Sequence, residues 1–154
     1  MNSAVLISAF NEGKTVARVV AVALEAALGE VLVVSDGSTD DTAVKARVAG
    51  ASVLSLPVNS GKGAAVAAGA RELVGTDYLV LLDADLIHLT PAHLSSLLEP
   101  ILAGRAQTTA GLFSGGRGAD RFRQSRHADV ERAALHPAPD DSGHAESGIK
   151  RLRH

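Results

Sequence analysis

The chain has neither cysteine nor tryptophan among its 154 residues. Without cysteine there is no disulfide framework and no thiolate metal site, a composition that fits a reducing compartment. Aromatic residues make up only 3% and the formal net charge is −2. Little is therefore available to stack bases and no basic field exists to attract a polyanion, so nucleic acid is not expected as a partner. Charges or glycines interrupt every apolar run before it reaches membrane-spanning length, and "MNSAVLISAF" lacks a basic leader and an adequate apolar region. A cytoplasmic, soluble chain without an integral membrane segment is expected; peripheral membrane contact or a membrane-bound substrate stays open.

What is present is 46% hydrophobic residues, enough to bury the core of one globular domain. Residues 3 to 9, "SAVLISA", read as a buried strand, and Asn11 opens a helical stretch to about Leu28 with Val16, Val19, Val20, Ala23 and Ala27 at helical spacing. The pattern recurs. "EVLVVS" at 30 to 35 is a strand, "DGSTD" at 36 to 40 a turn and cap, and 41 to 49 a short helix. "ASVLSL" at 51 to 56 is the third strand, Pro57 to Lys62 a loop, and 63 to 74 an alanine-rich helix. "DYLVLL" at 77 to 82 is the fourth strand, followed by a helix with Thr90 as N-cap, Pro91 at its first position and Gly104 at its end. A fifth strand is expected around 106 to 113. Apolar strands alternating with helices imply a doubly wound α/β domain: a mostly parallel sheet, helices on both faces, right-handed crossovers.

Near residue 119 the composition changes. From Ala119 to His154 only Phe122, Val130, Leu135, Ile149 and Leu152 are large and apolar, against seven Arg or Lys, six Asp or Glu and four histidines. So little to bury predicts a loosely ordered segment, or a single docked helix around 125 to 135. The domain is accordingly drawn as 1–118, with 119–154 apart from it.

Ligands of open parallel sheets bind beyond the carboxyl ends of the strands. Asn11 and Glu12 follow the first strand; Asp36, Gly37, Ser38 and Asp40 the second; Asn59, Ser60, Gly61 and Lys62 the third; Asp83 and Asp85 the fourth. All four clusters converge on one rim. Taken singly, Asn11 reads equally as an N-cap, Ser38 and Asp40 as caps of the second helix, and Gly37 as a turn residue with positive φ. Asp83 and Asp85 resist a plain reading. They fall on one side of an extended segment, where their repulsion is costly unless a cation lies between them. Mg²⁺ or Mn²⁺ is the natural ion, since it takes one or two carboxylates and completes its shell with water and phosphate oxygens. "NSGKG" at 59 to 63 is not a P-loop: Leu56 stands where the first glycine belongs, and Gly63 where Ser or Thr does. Lys62 either faces phosphate or is solvated.

"VLISAFNEGKTVARVV", "EVLVVSDGSTDDT", "NSGKGAAVAAGA" and "YLVLLDADL" follow in the order and spacing of family 2 glycosyltransferases. The chain resembles that family over residues 3 to about 118, nearest to the branch with glucosyl-3-phosphoglycerate synthases and dolichyl-phosphate sugar transferases. The resemblance implies the GT-A nucleotide-diphospho-sugar transferase fold, a UDP- or GDP-sugar donor, an acceptor it does not specify, and Mg²⁺ or Mn²⁺. It further implies that Ala9, Phe10, Asn11 and Glu12 hold base and ribose, with Gly37 and Ser38 beside them. Asp36 would read the base, Gly61 and Lys62 would lie near the nucleotide, and Asp83, Ala84 and Asp85 would form the DXD motif, its carboxylates binding metal. "FSGGR", Phe113 to Arg117, resembles the loop facing sugar or acceptor, and reads equally as a glycine-rich turn.

Two departures stand out. Ser35 replaces the first aspartate of the common "DDGS". The family's acceptor-binding elements, and its later catalytic carboxylate or metal-binding histidine, have no counterpart in 119–154; His127, His136, His144 and His154 lack ligand spacing. His88 and His93 read as surface residues. Suitable codons for "ADRFRQSRHADVER", read one base later, yield a stretch closer to the family's continuation, so a truncated or frameshifted product is expected. Exposed apolar surface would then favour a homo-oligomer. The rival expectation is a non-catalytic nucleotide-binding remnant or subunit. A phosphotransferase using Asp83 as nucleophile ranks below both, because its DxD follows a first strand and continues into Gly-Thr, where Leu86 and Ile87 stand here.

Overall fold

Strand β1 (Ser3–Ala9) lies in the middle of a parallel sheet between β2 (Glu30–Asp36) and β4 (Tyr78–Asp83), with β3 (Ser52–Leu56) outside β2. This is a computed structural model, and it describes residues 2–114 and 121–125. The strand order β3-β2-β1-β4 follows from the crossovers. Helices α1 (Val16–Glu25) and α2 (Thr42–Val48) carry the chain outward on one side of β1, and α3 (Lys62–Glu72) brings it back across to β4. The strand order therefore reverses between β1 and β4, the place where open α/β sheets form a crevice.

Period-two alternation divides the strands between two cores. Val5, Ile7, Ala9, Val31, Val33, Val80 and Leu82 face α1, α2 and α4 (Pro91–Leu102), whose Val16, Val19, Val20, Ala23, Ala46 and Leu94 complete the larger core. Ala4, Leu6, Leu32 and Val34 face Ala65 and Leu73 at either end of α3. Helix α3 reaches the sheet closely because Gly69 has no side chain: a Cβ there would run into Leu6 and Val34. The doubly wound arrangement with helices on both faces is as expected.

Thr90 and Pro91 open α4 as the sequence implied, and Gly104 ends it at φ 68°. The cap is reciprocal. Thr90 Oγ1 accepts from the His93 amide at 3.3 Å, and His93 Nδ1 accepts from the Thr90 amide at 3.2 Å, so His93 fills the place usually taken by Glu in a capping box.

Three expectations need correction. The first helix begins at Val16 rather than at Asn11, and Asn11 is no N-cap, its backbone being left-handed at φ 52°. Lys62 is the first residue of α3, not the end of a loop. The fifth strand, β5 (Ala110–Ser114), does not join the main sheet but pairs antiparallel with β6 (Arg121–Ser125). β6 falls within the segment 119–154, of which only 121–125 are among the described residues. The helix expected around 125 to 135 and most of "FSGGR" lie outside the described residues.

Candidate functional site

In a parallel sheet all carboxyl ends share one edge, and here they surround a cleft of about 360 Å³. It is lined by Ala9, Phe10 and Glu12 after β1, Asp36 at the end of β2, Gly61 and Lys62 at the start of α3, and Asp83, Ala84 and Asp85 after β4. Ser8, Asn59 and Ala65 line it as well. Sequence reasoning leaves out Ser8 and Ala65, because one lies within a strand and the other within a helix. Asn59 was noted beyond the third strand without a role; its proximity to the cleft is decided by the fold of the 58–61 loop.

Asn11, Gly37 and Ser38 do not line the cleft but hold its wall. Ser38 Oγ accepts from the Asn11 amide at 3.1 Å, and Asn11 Oδ1 accepts from the Thr39 amide at 2.8 Å, lacing the β1 and β2 loops together. Asn tolerates the left-handed backbone this requires. Gly37 is needed twice over: its φ is 69°, and a Cβ would collide with the backbone of Val58 and Asn59.

Asp36 is 3% exposed, and its carboxylate is already engaged. Oδ1 accepts from the Ser60 amide at 2.8 Å and Oδ2 from the Gly61 amide at 2.9 Å. The loop that leads into α3 is thereby anchored to the end of β2. Gly61, at φ 91°, turns the chain into the helix, and Lys62 follows at once.

The acidic pair is not extended. Asp83 is the last residue of β4, in register with Ser8, and Ala84 donates its amide to the Ser8 carbonyl at 3.1 Å, the final rung of the ladder. Ala84 is buried and the chain then turns, the Leu86 amide reaching the Asp83 carbonyl at 3.5 Å. A turn and not strand alternation therefore brings both carboxylates to the cleft, since a buried Ala84 pins the centre of the motif to the core. Asp83 Oδ1 receives the Lys62 ammonium at 2.5 Å and a long hydrogen bond from Ser8 Oγ at 3.4 Å.

Beside the cleft, Asp40 accepts from the Thr42 amide at 3.0 Å and the Gly13 amide at 3.1 Å, and also from the Thr42 hydroxyl. The Thr42 hydroxyl above all holds the Asp40 carboxyl below its ordinary value; desolvation opposes it, and the amides of Thr42 and Gly13 add lesser downward effects. Asp40 joins the 12–15 turn to the start of α2.

Among the described residues no three carboxylates or imidazoles stand together to hold an ion alone. Two carboxylates on one cleft fit a hard divalent cation that draws its other oxygens from water and phosphate. No described helix is long and apolar enough to cross a membrane.

The model of glycosyl transferase family 2 matches residues 4–149, running past the compositional change near 118. Glucosyl-3-phosphoglycerate synthase of Mycobacterium tuberculosis is 35% identical over 112 residues, covering 65% of this chain and 34% of that protein. Glycosyltransferase AglJ of Haloferax volcanii is 34% identical over 101 residues, covering 65% and 32%. Among solved structures, the M. tuberculosis synthase in complex with Mn²⁺, UDP-glucose and phosphoglyceric acid superposes at TM-score 0.61 and 32% identity, over 67% of this chain and 40% of that one. The same enzyme with Mn²⁺, UDP and glucosyl-3-phosphoglycerate gives TM-score 0.66 at 31% identity, over 75% and 45%. The chain spans about a third of the length of the curated relatives it matches. With the model matching nearly the whole chain, and with the sheet order, crevice and paired aspartates in common with the motifs read above, this chain belongs to glycosyl transferase family 2.

Proposed function

We propose that this chain supplies the donor side of a metal-dependent glycosyltransferase that uses a UDP-sugar. The observation that carries the reading is the meeting of Asp83, Asp85 and Lys62 on one cleft at the point where strand order reverses. The choice of UDP over GDP rests on the relatives, whose structures hold UDP or UDP-glucose with Mn²⁺ or Mg²⁺.

Phe10, 46% exposed on the cleft wall, offers a face for the base, and Glu12 borders the same space. Lys62 and the amino end of α3 offer positive charge to the diphosphate. Asp83 and Asp85 would hold Mg²⁺ or Mn²⁺. When bound there, such an ion neutralises charge developing on the departing nucleoside diphosphate. Asp36 serves by fixing the loop before Lys62; its engaged carboxylate favours this over reading the base.

A second reading is nucleotide binding without sugar transfer. It is favoured by the span of about a third of the relatives' length. Calorimetry of the chain with UDP, with and without Mn²⁺, followed by an assay of UDP-glucose turnover, separates the two. Metal-dependent UDP binding with turnover supports the first and binding without turnover the second; no metal-dependent binding of UDP defeats both.

A further inference from the structure

Lys62 and Asp83 form an ion pair at 2.5 Å inside the cleft, with the lysine side chain 66% and the aspartate 43% exposed. The pair is local to the cleft but not fixed by burial. Lys62 has a flexible four-carbon stem, whereas its backbone is held, because the preceding Gly61 amide is tied to Asp36 at 2.9 Å. The ammonium can therefore move while its pivot stays in place. Asp83 is also one of the two carboxylates facing the space where a divalent ion fits, and an ammonium on Asp83 Oδ1 repels any dication approaching the same group.

We propose that Lys62 is a positioning residue that occupies Asp83 in place of a metal ion until a nucleoside diphosphate draws its ammonium away. The inference rests on the donor-site reading above and goes beyond it. Metal and nucleotide then load together: the diphosphate takes the lysine, Asp83 is released, and the ion meets two carboxylates instead of one. By linkage, the ion must also favour the diphosphate by the same factor. A bare chain would hold little metal, and the ion would enter as part of a metal-nucleotide complex.

The test is titration of Mn²⁺ without nucleotide, followed by the electron paramagnetic resonance of free Mn²⁺, on wild type, Lys62→Met, Lys62→Arg and Lys45→Met. Lys45 pairs with Asp41 on α2 at 2.9 Å, away from the cleft, so its loss removes one positive charge without touching Asp83. Exposed ion pairs of this kind correspond to about two- to fivefold in affinity. Lys62→Met is expected to bind Mn²⁺ tighter than wild type by about that factor, while Lys62→Arg and Lys45→Met stay near wild type. In Mn²⁺, UDP affinity should fall about tenfold in Lys62→Met, a sign opposite to the metal effect. Unchanged or weaker Mn²⁺ binding by Lys62→Met overturns the proposal, as does an equal gain in Lys45→Met or no detectable Mn²⁺ binding in any chain. Wild type that fails to bind UDP with Mn²⁺ defeats the donor-site reading separately, and the nucleotide-free titration still decides the role of Lys62.

Discussion

Asp36 Oδ2 accepts the amide of Gly61 at 2.9 Å, so the end of β2 holds the residue that immediately precedes Lys62. With the 2.8 Å bond from Ser60 to Oδ1, one buried carboxylate sets the path of a whole loop. Asp36→Asn keeps the shape but replaces one acceptor oxygen by a donor facing an amide. Hydrogen bonds to charged groups contribute about 1.5–3 kcal/mol each. Urea unfolding of Asp36→Asn should show a loss of about 1–3 kcal/mol, accompanied by weaker UDP binding. A variant with native stability and native UDP affinity would show that the loop does not depend on this anchor.

The paired aspartates act on affinity more than on folding. Asp85 is exposed and Asp83 half-buried, so Asp83→Asn and Asp85→Asn should each stay within about 1 kcal/mol of wild type in stability. UDP binding measured by calorimetry in Mn²⁺ should weaken about tenfold or more in each, while the affinity without metal changes little in Asp85→Asn and rises by about two- to fivefold in Asp83→Asn, which frees Lys62 for the diphosphate. Equal losses with and without Mn²⁺ would assign the pair to something other than an ion.

Gly69 sits on the face of α3 that meets the sheet, where a Cβ would strike the Leu6 and Val34 side chains. Elsewhere in a helix, alanine would stabilise relative to glycine by about 0.5–1 kcal/mol. Here crowding opposes that gain, and overpacking costs about 1–3 kcal/mol. Gly69→Ala is therefore expected to be destabilised in chemical unfolding. A stabilised Gly69→Ala would mean that α3 lies farther from β1 and β2 than the packing indicates.

Asp40 supplies a pH-dependent contribution of known sign. Its folded pKa is lowered from 3.8, chiefly by the Thr42 hydroxyl, so the folded state binds a proton less readily than the unfolded chain. Stability from this group is complete above the unfolded value and is lost as pH falls through the lower folded one. Between pH 5 and about pH 3 wild type should lose more stability than Asp40→Asn, measured by urea unfolding at each pH. Parallel curves for the two proteins would remove Asp40 from the acid response.

The alternation of elements was readable along the chain because it depends on near-neighbour rules. Continuous apolar strands, helical spacing in Val16, Val19, Val20 and Ala23, and the Thr90-Pro91 start all encode themselves within a few residues. The clustering of polar residues after each strand was readable as well, since a parallel sheet sends all its carboxyl ends to one edge. The left-handed Asn11 was not, because its conformation answers to Ser38 and Thr39, which lie 27 and 28 residues away. The turn at Ala84 was missed for a similar reason: only the last rung to Ser8 stops the strand there.

Order of elements, sheet class and the family motifs are properties of the amino-acid sequence by itself, being set by local propensity and spacing. Which oxygen of Asp36 anchors which amide, that Lys62 rests on Asp83, and that β5 leaves the parallel sheet to pair with β6 were decided only in three dimensions. The physical reason is distance along the chain: these contacts join residues that no local preference relates, and they form only once the sheet has brought its strand ends together.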